Sequence, residues 1–237
     1  MTSRSPVPEM PFASAPMLQA FRSLVDFILH IDTHLAEIIA NYGLWTYAVL
    51  FGIIFVETGL VIMPLLPGDS LLFAAGAFAA RPDTGLNVHL LAVLLWVAAV
   101  LGDSLNYAIG ARLGPAVFNR PDSRFLRQAH LRRAHEFFER YGGRAIVLAR
   151  FVPIVRTFVP FVAGVGSMDY RRFLAFNVVG GFVWIYAFTY LGFAFGNQPI
   201  VQRNFKFVIL GIMVVSVLPI VIEVLRARFA PAAKPSK

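Results

Sequence analysis

The sequence has no cysteine, so disulfides, thiolate metal sites and thiol chemistry are excluded. Charge is scarce too. Only 14% of the 237 residues are Asp, Glu, Lys or Arg, against about 25% in an ordinary soluble domain. The N-terminal stretch TSRSPVPEMPFASAP lacks the apolar core of a cleavable signal peptide. No Gly-rich phosphate loop, nucleophile elbow or HExxH pattern appears, so the residues give no support to catalysis. His30 and His34 are four residues apart, but no third ligand accompanies them, and His130 and His135 sit in a polar stretch. Neither a metal nor a cofactor is expected.

Apolar residues are abundant instead. They make up 58% of the chain, and the mean hydropathy is +0.69. Several runs of about twenty such residues match a hydrocarbon core ~30 Å thick. The expected class is therefore an all-α polytopic membrane protein. The formal charge of +8 would suggest nucleic acid in a soluble protein. Here eight of the 21 basic residues lie between Arg112 and Arg144, in one polar stretch between apolar segments. That pattern points to a cytoplasmic loop, with attraction to anionic membrane lipids, and aromatic stacking motifs for nucleic acid are absent.

Residues 1–20, rich in Pro and Ser, read as a disordered extension, and residues 229–237 as a cytoplasmic tail. Between them, 21–228 form one transmembrane domain. Apolar residues recur at helical spacing from Phe21 to Tyr42, opposite a polar face. This predicts an amphipathic helix at the interface, ended by Gly43. Spans are expected at Leu44–Met63, His89–Gly110, Phe173–Gly196 and Phe205–Val224. A further helix around Leu131, Ala134, Phe138 and Tyr141 should stop at Gly142-Gly143.

Two apolar segments are broken. Residues 64–80 carry Pro64, Pro67 and Gly68, and residues 145–166 carry Pro153 and Pro160. Both are expected to be re-entrant hairpins. With the basic loop and the tail in the cytoplasm, the two must enter from opposite faces, and the N-terminus is cytoplasmic. The external loops then hold only Arg81, and Arg203 with Lys206. Each broken segment ends near an Ala-Gly pair, Ala75-Gly76 and Ala163-Gly164. The expected architecture is an inverted repeat: two oppositely oriented re-entrant hairpins, about four spanning helices and interfacial amphipathic helices.

Glu57, Asp69, Arg150 and Arg156 fall inside these apolar segments. Left unpaired, four such charges would cost on the order of 10 kcal/mol, comparable to the stability of a whole domain. They are expected to meet as a neutral quartet. A regular helix would place Arg150 and Arg156 about 120° apart, and a break at Pro153 lets both turn to one point. Buried structural ion pairs are one reading, and Asp69 also fits a helix N-cap after Pro67-Gly68. The functional reading is an anion site. Guanidinium suits bidentate phosphate binding, and a helix start near Asp69 adds backbone donors. A carboxylate there can release an arginine to the phosphate and take a proton. Asp103, near Asn106 and Tyr107, is an accessory candidate or an interhelical polar contact.

The segments FVETGLVIMPLLPGDSLLFAAGAFA, GDSLNYAIG, GGRAIVLARFVPIVRTFVPFVAGVGSMDYRRF and FNVVGGFVW resemble the DedA family of bacterial inner-membrane proteins, of the VTT type. The resemblance runs from about Leu24 to Arg226. It implies a polytopic helical fold with two opposed re-entrant hairpins. It also implies roles in membrane homeostasis, dependence on the proton motive force, and resistance to alkaline pH and cationic antimicrobials. Some members are assigned as flippases that recycle undecaprenyl phosphate, an anionic polyprenyl phosphate. The family's functional acids fall on Glu57 and Asp69, and its arginines on Arg150 and Arg156. Uptake of small oxyanions is a second expectation and a non-transporting assembly role a third. A homodimer is a mild expectation.

Overall fold

The structure is a computed structural model that describes residues 37, 43–60, 68–113, 136, 138–205, 207–212 and 214–215. Among the described residues its α-helices include α1 (Trp45–Gly59), α2 (Gly68–Ala79), α3 (Val88–Leu113), α4 (Arg144–Ala149), α5 (Pro153–Val165), α6 (Tyr170–Gly196) and α7 (Pro199–Arg203). No strand occurs among the described residues. The N-terminal extension, the interfacial helix except Glu37, Pro64, Pro67, the tail, His30, His34, His130 and His135 lie outside them, as does most of the basic loop.

Among the described residues two helices, α3 with 26 residues and α6 with 27, are long and apolar enough to cross a membrane. At 1.5 Å per residue they reach about 39–40 Å, more than a hydrocarbon core of ~30 Å. Their outward faces carry Leu90, Val93, Val97, Leu101 and Leu105 on α3, and Val179, Phe182, Val183 and Leu191 on α6. Apolar residues on both the inner and the outer face suit a helix bathed in lipid. The span expected at Leu44–Met63 appears as the 15-residue α1, with 61–67 outside the described residues. The one expected at Phe205–Val224 is helical where it is described, to residue 215.

The broken segments hold short helices. α2 has 12 residues and α5 has 13, about 18–20 Å each. The expectation for Pro160 is corrected: it lies inside α5, not at a break. The helix runs through it and forgoes one intrahelical bond, the one Arg156 would have received. The chain breaks earlier, at residues 150–152, and Pro153 opens α5 where its missing N–H costs nothing. Gly68 is the first residue of α2, not an interruption within it. The basic-loop helix does stop at Gly142, which has φ +56° and whose N–H bonds the Phe138 carbonyl at 2.7 Å.

Each short helix packs on the long helix of the other half, α2 on α6 and α5 on α3. Glycine decides how close they come. A Cβ on Gly76 would strike the carbonyl of Thr189, and one on Gly192 the carbonyl of Phe73. The second crossing repeats this: Gly164 faces the carbonyl of Tyr107, and Gly110 that of Phe161. In all four cases the carbonyl lies three residues before the opposing glycine. Close backbone approach through small residues is how helices associate where no hydrophobic effect drives them.

Two apolar cores result. One gathers α1, α2, the first half of α3 and the second half of α6 around Leu50, Leu72, Leu91 and Ile185. The other gathers α4, α5 and Phe173 around Ile146, Phe158 and Phe161. Along α3 the segment between them holds Asp103 and Asn106, and along α6 it holds Asn177, Gly180 and Gly181. A polar layer is thus sandwiched between two apolar ones. At the turn into α6, Ser167 takes φ 55°, Tyr107 donates its hydroxyl to the Met168 carbonyl, and Asp169 caps the helix by accepting from the N–H of Arg172 at 3.0 Å.

Candidate functional site

The polar layer contains all four charges singled out above, and a fifth. Arg156, in the first turn of α5, donates one nitrogen to Glu57 Oε1 and the other to Asp69 Oδ1 at 3.1 Å. Its side chain is 13% exposed and that of Glu57 3%. Arg150 does not join them. As the C-cap residue that follows α4, it donates Nη2 to Asp103 Oδ2 and to Asn177 Oδ1, both at 2.6 Å. The expected quartet is therefore corrected to two groups: Arg156 with Glu57 and Asp69, and Arg150 with Asp103. The reason is reach. The break after Arg150 turns its side chain across α6 toward α3, while Arg156 already belongs to the next helix and faces α1 and α2.

Asp103 is more than an accessory polar contact, because it is the carboxylate partner of a buried arginine. It also changes the charge count. Among the described residues three carboxylates face two guanidinium groups, a formal −1 instead of zero.

Asp69 is not the cap of α2. The helix starts at Gly68, which puts Asp69 in the first turn, where the helix dipole still favours a negative charge. Its Oδ1 also accepts the indole N–H of Trp184 at 2.8 Å. The carboxylate of Glu57 lies against the start of the same helix. A Cβ on Gly68 would fall on both of its oxygens.

Glycines open the path of Arg150. A Cβ on Gly180 would come 3.2 Å from Nε of Arg150, and one on Gly181 3.4 Å from its Nη2. Asn177, one turn earlier, both receives Arg150 and donates to the Val100 carbonyl at 3.0 Å, tying α6 to α3. Asn106 donates to the Thr157 carbonyl at 2.8 Å and to that of Thr58 at 3.3 Å, tying α3 to α5 and α1.

Trp184 and Asn177 were not visible as site residues in the sequence. A spacing of seven puts them on one face of α6 with Gly180 and Gly181 between. A face of Asn, two Gly and Trp inside an apolar span is the signal that would have found them.

Between the two charge groups lies a cavity of about 20 Å³, lined by Glu57, Thr58, Asp103, Arg150, Arg156, Thr157 and Trp184. It has room for about one water molecule, not for a phosphate. An anion that reaches the arginines must part them from their carboxylates. Arg150 Nε is buried without an acceptor. Among the described residues no group of three His, Asp or Glu is placed to hold a metal ion.

Comparison with known proteins places this arrangement. Residues 66–194 match the model of the VTT domain. The chain is 56% identical to Protein DedA of Escherichia coli (strain K12) over 209 residues, covering 88% of this chain and 95% of that protein. An uncharacterized membrane protein of Mycobacterium tuberculosis is 46% identical over 200 residues, covering 81% and 88%. The inner membrane protein YqjA of Escherichia coli (strain K12) is 37% identical over 154 residues, 65% of this chain and 69% of that one. No solved structure matches. With the VTT domain spanning more than half its length and such relatives covering most of the rest, the chain belongs to the DedA family of membrane proteins.

Proposed function

We propose that this protein is a flippase for an anionic lipid carrier, a polyprenyl phosphate such as undecaprenyl phosphate, coupled to the proton motive force. The observation that carries the reading is Arg156: a guanidinium, 13% exposed, held by two carboxylates beside a cavity that a second arginine also lines. A permanently charged planar fork is suited to phosphate oxygens. One fixed by two acids can be handed over when either acid is neutralised. Arg150 also carries a buried Nε that has no acceptor.

Charge supports the coupling to protons. Among the described residues the cluster already has one carboxylate more than it has guanidinium groups. A phosphate would add more negative charge to a region walled by two apolar cores, where unbalanced charge is expensive. Protons that arrive with the anion, on Glu57 or Asp69, restore the balance.

The repeated glycine crossing supports an inverted repeat, because the two halves meet through the same contact twice. α2 and α5, each too short to cross the bilayer, then act as opposed re-entrant hairpins with the site between their starts. The termini lie in the cytoplasm in this arrangement, which the basic loop supports.

A small soluble anion would use the same arginines. Binding separates the two. Purified protein in neutral-lipid nanodiscs should retain labelled polyprenyl phosphate, and inorganic phosphate should not displace it. Displacement by inorganic phosphate at equal concentration would favour the small-anion reading.

A further inference from the structure

Trp184 belongs to neither ion pair, yet it touches both. Its ring centroid lies 5.7 Å from Cζ of Arg150 and 5.4 Å from Cζ of Arg156. Both distances fall within the ~6 Å range of cation–π attraction. Its N–H is spent on Asp69 Oδ1 at 2.8 Å, and its side chain lines the cavity.

A ring that only filled space would need none of this. A buried indole N–H does require an acceptor, but a backbone carbonyl is enough. Trp96 in the same protein takes that solution, donating to the Val178 carbonyl at 2.9 Å. Trp184 instead donates to a carboxylate that already accepts from Arg156. The negative face of one indole also brings two like charges together. That attraction adds to the carboxylates in offsetting the repulsion between two guanidinium groups that line one small cavity.

The arrangement has a consequence when an anion arrives. If Arg156 turns to a phosphate, Asp69 loses its cation. Trp184 is a donor that can stay with it, because its hydrogen bond does not depend on Arg156. We propose that Trp184 is the positioning residue of the anion site: its ring carries both guanidinium groups, and its N–H keeps Asp69 when a phosphate group draws Arg156 away. This rests on the anion-binding reading above, and the test separates the two.

A protein with Trp45→Phe and Trp96→Phe leaves Trp184 as the sole indole. Neither replaced ring lines the cavity. It would be placed in phosphatidylcholine nanodiscs. One arm adds inorganic phosphate, the other incorporates a polyprenyl phosphate, and bound label is counted in both. The first arm reports a free phosphate as ligand and the second a lipid headgroup. The expected result is a saturable change of Trp184 emission in whichever arm shows bound label, absent with Arg156→Ala, as the cation leaves the ring.

In the otherwise unaltered chain, Trp184→Phe keeps a ring for the cations but drops the donor to Asp69. It should weaken binding by about tenfold or more, the loss expected for a hydrogen bond to a charged group. Trp184→Leu removes both contributions and should weaken it further. Bound label with unchanged emission, or full affinity in Trp184→Phe, overturns the proposal and leaves the function standing. No bound label in either arm overturns the anion site itself, and the proposal with it.

Discussion

The carboxylate of Glu57 occupies the space that a side chain on residue 68 would need, because a Cβ on Gly68 would fall on both of its oxygens. That glycine is what lets the start of α2 close over a buried acid. Gly68→Ala changes no charge, but it should push Glu57 away from Arg156. A melting curve in detergent should show a loss of about 1–3 kcal/mol, as for overpacking, together with lost activity. Gly52→Ala is the control. Nothing lies within 4 Å of a Cβ there, so stability should hold or rise by up to about 1 kcal/mol.

Arg150 and Asp103 are both nearly inaccessible, at 5% and 7% exposure. Asp103→Leu leaves Arg150 charged in an apolar surrounding, and a cost of about 3–5 kcal/mol is expected. Removing both charges with Asp103→Leu and Arg150→Met should recover most of that stability while abolishing phosphate binding. A thermal double-mutant cycle measures the recovery, and a binding assay the loss.

The two glycine crossings predict matched effects. Gly76→Ala and Gly164→Ala each drive a methyl into a backbone carbonyl of the opposite half, Thr189 in one case and Tyr107 in the other. Both should lower the melting temperature, by similar amounts, since neither carbonyl can move without its helix. A large loss at one site and none at the other would mean the two halves do not pack alike.

Glu57→Gln keeps shape and removes the charge. Arg156 then keeps its pair with Asp69, and the exchange of a proton for the arginine at position 57 is gone. Residual transport should no longer respond to the proton gradient. Flux in proteoliposomes with and without a gradient measures this, and unchanged gradient dependence would sink the proton coupling.

Much of this site was legible because charge inside an apolar run is costly. Glu57, Asp69, Arg150 and Arg156 stood out on that ground alone, and the break near Pro153 did allow both arginines to reach one layer. Their pairing was not legible. Asp103 sits in an unbroken helix with polar neighbours, and nothing in its spacing distinguishes a partner for Arg150 from an ordinary interhelical contact. Trp184 and Asn177 were hidden for a different reason: Trp reads as apolar filling in a span, and one Asn is a tolerated polar residue. In the fold, the Ala-Gly pairs hinted at the repeat, but the reciprocal partners Gly110 and Gly192 lie on helices distant in sequence. Pro160 misled because a proline inside a buried helix looks the same in sequence as one that ends it.

Transbilayer movement of labelled undecaprenyl phosphate in proteoliposomes tests the central claim most directly, comparing the native protein with Arg156→Ala under an imposed proton gradient. The account predicts gradient-dependent flipping by the native protein and flipping at the protein-free rate for the variant, with the variant still folded by size-exclusion and melting. Equal flipping by both would contradict it.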